Sequence, residues 1–137
     1  MKHWITSILL GSALLLVTNA ASAQTLKANV PFDFRIPGGT LKAGEYTVSQ
    51  TASAGTITYK VYSAEQKRGG LVVTSGQSAG MLKADQAKLV FACQGEECHL
   101  AEIWAPGNGA ARTVAAMRFR HGDEHVRLAM VPLIREQ

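Results

Sequence analysis

The chain has 137 residues and a formal net charge of +4. This length fits one domain with one hydrophobic core. Charges of both signs are interspersed, and no run of five or six basic residues occurs. The composition therefore excludes a multidomain architecture and gives no indication of a specific nucleic-acid partner.

The first 23 residues carry the clearest functional signal. A short basic start precedes an apolar run over residues 4–17, and the segment ends in an Ala-x-Ala pattern at Ala23. This is the pattern of a secretory signal peptide, with the expected cut between Ala23 and Gln24. No cysteine follows the run, which argues against a lipid anchor. We therefore predict an exported domain at residues 24–137, periplasmic or secreted, with no membrane span after cleavage.

Apolar and polar residues alternate with a period of two from residue 30 onward, which predicts β-strands. The first strand covers residues 30–36, where Pro31 lacks an amide donor and so favours an edge position. Further strands are predicted over residues 45–49, 56–62 and 71–74. Residues 75–87 are small and polar, and we interpret them as a loop.

The strand pattern returns over residues 88–93 and 98–104, on either side of a turn, and again over 114–120 and 125–131. Residues 112–120 also contain good helix formers, so strand and helix both remain open there. Turn signals recur every 8–14 residues along the chain, a spacing typical of antiparallel sheets. We predict a single all-β domain, an antiparallel barrel or sandwich of seven or eight strands with hairpin connections.

Three segments carry a resemblance to a known family. They are Asn-Val-Pro-Phe-Asp-Phe at 29–34, Leu-Lys-Ala-Gly-Glu-Tyr-Thr-Val at 41–48, and Lys-Leu-Val-Phe at 88–91 followed by Leu-Ala-Glu-Ile-Trp at 100–104. Together they resemble a family of small exported bacterial β-domain proteins. The resemblance implies a compact β domain with a signal peptide, and it implies no reaction. Such proteins often end in a charged tail, whereas residues 126–131 are largely apolar here, so we expect a folded C-terminus.

Two cysteines follow the signal peptide. Cys93 and Cys98 would face each other across a hairpin, where opposed Cα atoms are about 4.5–5.5 Å apart, within the range that a disulfide accepts. Glu96 and Glu97 disfavour a reactive thiolate because negative charge raises the cost of ionising a neighbouring thiol. Export places both cysteines in an oxidising compartment. We predict a structural disulfide and not a redox-active pair.

One segment offers a metal site. In a single straight strand, His121, Asp123 and His125 would project from the same face and could bind zinc or another divalent cation. Gly122-Asp123 is also a turn signal, however, and a bend there would separate the three side chains. We favour the polar hairpin tip and keep the metal site as an alternative.

No catalytic constellation is recognisable. The chain lacks a Gly-x-Ser-x-Gly nucleophile motif and a phosphate-binding loop, and His99 and Glu102 are expected on opposite faces of their strand. We predict no catalytic residues and no cofactor. The favoured function is a non-catalytic structural or binding module whose partner is an envelope component or another protein. The alternatives are a lipocalin-like carrier of a small apolar ligand, lined by the aromatic residues, and the metal-binding protein.

Overall fold

The computed structural model describes residues 25–53, 56–81, 87–105, 110–115, 119 and 125–135. In these ranges the chain is all-β, and no helix of the length and apolarity needed to cross a membrane occurs there. The predicted signal peptide lies outside them. The strands are β1 Thr25–Val30, β2 Phe34–Ile36, β3 Gly39–Leu41, β4 Gly44–Ser53, β5 Thr56–Ser63, β6 Arg68–Met81, β7 Lys88–Gln94, β8 Glu97–Trp104, β9 Ala110–Val114, β10 Arg127–Pro132 and β11 Ile134–Arg135.

The strands form one mixed sheet. Its hydrogen-bonded order is β10-β7-β8-β9-β6-β5-β4-β1-β11, and the β2–β3 hairpin attaches to β8. Among the described strands, only β2 and β8 run parallel, with Arg35 opposite His99. The two ends of the order, β10 and β11, are separated in sequence by Leu133 alone. In the described residues no ladder joins β10 to β11 or to β1, so the sheet does not close.

The prediction of seven or eight strands was wrong, since the described residues form eleven. Local breaks account for most of the difference. The chain from Pro31 to Asp33 leaves the sheet and divides the predicted first strand into β1 and β2, and Leu133 separates β10 from β11. The hairpin turn at Pro37-Gly38 adds β3.

Residues 75–81 were predicted as a loop, and the structure places them in β6. Their small polar side chains gave no alternation to recognise, yet β9 pairs with them across two register shifts. β9 itself ends at Val114, so residues 112–114 are strand and not helix. The strand predicted over residues 114–120 was wrong at Ala115 and Phe119, which lie outside any strand, and among the described strands β9 pairs with β6 and β8 and not with β10. Residues 116–118 and 120 lie outside the described residues.

The 14-residue β6 connects the two halves of the sheet. It pairs with β5 through Val73 and with β9 from Thr74 onward. One half is therefore β11-β1-β4-β5-β6, and the other is β6-β9-β8-β7-β10 with the β2–β3 hairpin. The inner faces of both halves supply the core.

The core is filled by aromatic rings. Phe34 packs edge-to-face against Tyr46 and Phe91, with ring centroids 5.1 and 5.2 Å apart, and Phe32 packs against Phe91 at 5.0 Å. Such pairs each contribute about 0.5–1.5 kcal/mol beyond the burial of their area. The side chains of Phe34, Tyr46, Tyr59 and Phe91, which the sequence offered as the lining of a ligand cavity, are at most 2% exposed.

Candidate functional site

The β7–β8 hairpin contains the predicted disulfide. Gly95 and Glu96 form a two-residue turn in which Gly95 has φ of 59°. A positive φ at the first central position alone is the pattern of a type II′ turn, which favours glycine there. Cys93 lies directly opposite Cys98, and the bonded pair is buried on the inner face. The only two cysteines of the chain are thus joined and shielded from solvent, in agreement with the structural role.

The metal prediction stays a prediction. His121 and Asp123 lie outside the described residues, whereas His125 is exposed in a turn with φ of 58°. Within the described ranges, no three His, Cys, Asp or Glu side chains come close enough together to hold a metal ion.

The densest titratable cluster is centred on Glu97, on the outward face of β8. Its Oε1 atom accepts a hydrogen bond from Arg35 Nη1 at 2.9 Å and lies 3.0 Å from His99 Nε2. Glu97 and His99 are two residues apart in a strand, so both side chains point to the same side. Arg35 joins them because β2 pairs in parallel with β8 at His99. The carboxylate therefore bridges a guanidinium and an imidazole.

The His99 side chain is only 4% exposed, although it points away from the core. The ring of Phe119 stacks on it with centroids 4.3 Å apart and an interplanar angle of 11°. Phe119 belongs to the connection from β9 to β10, two strands that lie on opposite sides of β8 and β7 in the sheet. The Phe119 ring therefore lies on the outward face of β8 and covers the imidazole.

Glu97 also borders a cleft of about 360 Å³, together with Asp33, Arg35, Thr40 and Glu96. A general base must reach a substrate proton directly or through one water. The imidazole, however, is covered by Phe119 and has its Nε2 atom directed at Glu97, and the carboxylate is balanced by Arg35. The arrangement acts as a clamp that holds the β2–β3 hairpin to β8.

The sequence did not identify this cluster. From the sequence alone, His99 and Glu102 were expected on opposite faces of their strand. A register shift between Val90 and Phe91 instead places Ala92 opposite His99 and Val90 opposite Glu102, so both residues of β8 point outward. Glu102 there accepts a hydrogen bond from Trp104 Nε1 at 2.9 Å. The Glu-x-His spacing at 97–99 was the available signal.

Apolar residues occupy every second position from 126 to 134, along the outward side of β10 and β11. We name this set the C-terminal stripe, formed by Val126, Leu128, Met130, Pro132 and Ile134. The alternate residues Ala129, Val131 and Leu133 face the core. Six large apolar side chains are exposed in the described chain, and four of them belong to the stripe. Single exposed apolar residues are ordinary, whereas a contiguous row marks a contact surface.

Two ammonium groups border the C-terminal stripe. Lys88 is opposite Pro132 on β7, and Lys27 is opposite Ile134 on β1. Lys88 Nζ lies 4.7 Å from the centroid of the Trp104 ring and 3.7 Å from Met130 Sδ. Lys27 also pairs with Glu45, with Nζ 3.5 Å from Oε1. The surface thus combines an apolar centre with a polar, charged margin, a distribution that resembles the core and rim of a protein interface.

Comparisons of the chain with protein-family models, curated proteins and solved structures gave no match.

Proposed function

We propose that the chain is an exported, non-catalytic binding module that contacts a protein of the cell envelope or the extracellular space. The observation that carries the proposal is the C-terminal stripe, in which Leu128, Met130 and Ile134 are each about 60% exposed or more. Contact of apolar side chains with water is unfavourable, so a partner that covers them lowers the free energy of the system. The signal-peptide pattern supports export.

Two features support the absence of catalysis. The imidazole of His99 is stacked under Phe119, and its Nε2 atom is directed at Glu97. The two cysteines are oxidised and buried. Neither nucleophile nor base is thus presented to a substrate at these positions.

Site-specific photo-crosslinking in an exporting bacterium tests the binding surface. A photoreactive amino acid at position 128 should give a discrete protein adduct, and the substitution Met130→Lys should abolish it. Position 60 is the control, because Lys60 is exposed in the middle of β5 and lies outside the C-terminal stripe. Likewise Val73→Lys, at a residue that is 53% exposed, should leave the adduct at position 128 intact.

The partner identified from the adduct should then bind the purified mature chain, and Leu128→Lys should weaken this binding at least about tenfold, or about 1.4 kcal/mol. Equal adducts from positions 60 and 128, or an adduct insensitive to Met130→Lys, would contradict the proposal. The non-catalytic part fails if the purified chain hydrolyses an ester, glycoside or peptide and His99→Ala removes that activity.

A further inference from the structure

In the described residues, the sheet also has unpaired strand edges beside the β2–β3 hairpin, away from the C-terminal stripe. The β2–β3 hairpin and β9 share the space between β8 and β6. β9 pairs with both neighbours, whereas β2 pairs with β8 and, in the described chain, β3 has no ladder with β6. β3 and residues 68–73 of β6 therefore each present one strand edge without a strand partner among the described residues. Such edges can pair with an additional strand.

A cleft of about 440 Å³ lies between these two edges, and we name it the seam cleft. It is lined by the glycine pairs at 38–39 and 69–70, by Thr40, and by Lys67 and Arg68. Glycines leave the backbone amide and carbonyl groups uncovered by side chains, so another backbone can approach closely. The volume lies within the range of sites that bind small ligands or short peptide segments.

The seam cleft carries uncompensated positive charge. Lys67 and Arg68 are exposed, and neither forms an ion pair within the part of the chain that the structure describes. No carboxylate belongs to the described lining, although Glu65 is in the same turn. An arginine and a lysine at the end of an open strand edge attract carboxylates, and arginine can bind them with two parallel hydrogen bonds.

We infer that the seam cleft binds an extended acidic peptide by strand addition. The peptide backbone pairs with the edge of β3 or β6, and its carboxylates contact Lys67 and Arg68. In this binding mode, main-chain hydrogen bonds supply affinity and side chains supply selectivity. The seam cleft shares no residue with the C-terminal stripe, so each surface can fail without the other.

The test uses the mature chain and a fluorescent pentapeptide of alternating valine and glutamate, measured by fluorescence anisotropy. We expect saturable binding that Arg68→Glu weakens at least tenfold. Arg135→Glu, the same charge change outside the cleft, should alter it less than twofold. A peptide with lysine for glutamate should not bind, and one with alternate backbone amides methylated should bind at least tenfold more weakly. In proton–nitrogen spectra, the amide signals of the four cleft glycines should shift on binding.

Four results would overturn the inference. They are no binding at millimolar peptide, equal binding of the lysine peptide, an unchanged affinity in Arg68→Glu, and an unchanged affinity of the methylated peptide. Free glutamate or inorganic phosphate that competes as strongly as the peptide would identify a small-anion site and would equally reject strand addition. Circular dichroism of Arg68→Glu should match the parent chain, so that loss of binding is not loss of fold.

Discussion

Gly69 shows how a single hydrogen in place of a side chain determines the packing of two strands. An added Cβ atom would meet the carbonyl oxygen of Val61 and would lie 2.7 Å from the Cα atom of Tyr62. Both are backbone atoms of the opposing strand and cannot rotate away. We expect Gly69→Ala to lower the free energy of unfolding by about 2 kcal/mol through overpacking. Urea denaturation measures it.

The matched control for this variant is Gly38→Ala. Gly38 is also exposed, and a Cβ atom there would have nothing within 4 Å. This variant should change the free energy of unfolding by less than about 0.5 kcal/mol, as surface substitutions away from special features do. Equal effects at the two glycines would show that backbone entropy, and not the close approach to β5, governs Gly69.

The raised pKa of Tyr46 predicts that the chain loses stability at alkaline pH. Burial raises the pKa of this phenol above the usual value, the negative charge of Asp33 raises it further, and the hydrogen bond with Gln66 opposes both. The folded chain therefore holds this proton more tightly than the unfolded chain does. The resulting stability is complete below about pH 10, the unfolded pKa, and is lost as the pH rises through the folded pKa.

Tyr46→Phe isolates this contribution because phenylalanine does not titrate. The difference in unfolding free energy between the parent chain and the variant should be constant below about pH 10 and should fall above it, by at most about 1.4 kcal/mol per pH unit. Urea denaturation at several alkaline pH values measures the difference. A difference that stays constant through that range would contradict the raised pKa.

At the scale of elements, the Glu97 clamp sets the position of the β2–β3 hairpin. Arg35 is 43% exposed in its side chain, so its pairing with Glu97 is screened and worth about 0.2–1 kcal/mol. His99 is buried, and removal of Glu97 leaves its ring nitrogen without this partner, at a cost of about 1–3 kcal/mol. We therefore expect Glu97→Ala to destabilise the chain more than Arg35→Ala.

Urea denaturation of the two single variants and of the double variant gives the coupling between them. Added salt should reduce the coupling, since exposed ion pairs are screened. If Arg35→Ala lowered the free energy of unfolding as much as Glu97→Ala, the guanidinium, and not the imidazole, would be the main partner of the carboxylate.

Sequence pattern predicted those elements whose two faces differ in polarity. The period-two pattern predicted strands at β4, β5, β7 and β8, because one face of each strand meets the core, although the register shift between Val90 and Phe91 interrupts the alternation in β8. The end of β6 escaped prediction because small polar residues at 75–81 show no such difference. The breaks between β1 and β2 and at Leu133 also gave no periodic signal.

The clamp depended on information that local pattern lacks. Arg35 and Glu97 are 62 residues apart, and they meet only through the parallel pairing of β2 with β8. The burial of His99 further requires Phe119, which lies outside the β7–β8 hairpin in sequence. Only the Glu-x-His spacing was local. The disulfide was accessible from the sequence because both of its residues belong to one hairpin.

At the scale of the whole molecule, β1 joins β4 to β11 in one half of the sheet. β1 comprises Thr25–Val30. β1 pairs with β4 over six positions and with β11 over two, and Leu26, Ala28 and Val30 are buried on its inner side. The predicted cut after Ala23 would leave these described pairings of β1 in the mature chain.

We expect secreted protein to begin at Gln24 and a chain of residues 24–137 to unfold cooperatively. A chain of residues 31–137, which lacks β1, should lose cooperative unfolding, because β4 and β11 then have no strand between them and the inner face is open to water. Intact-mass measurement of the secreted protein and urea denaturation of both truncated chains test this. A secreted form that retains residue 1 would contradict the predicted cleavage. A chain of residues 31–137 as stable as the longer one would contradict the structural role of β1.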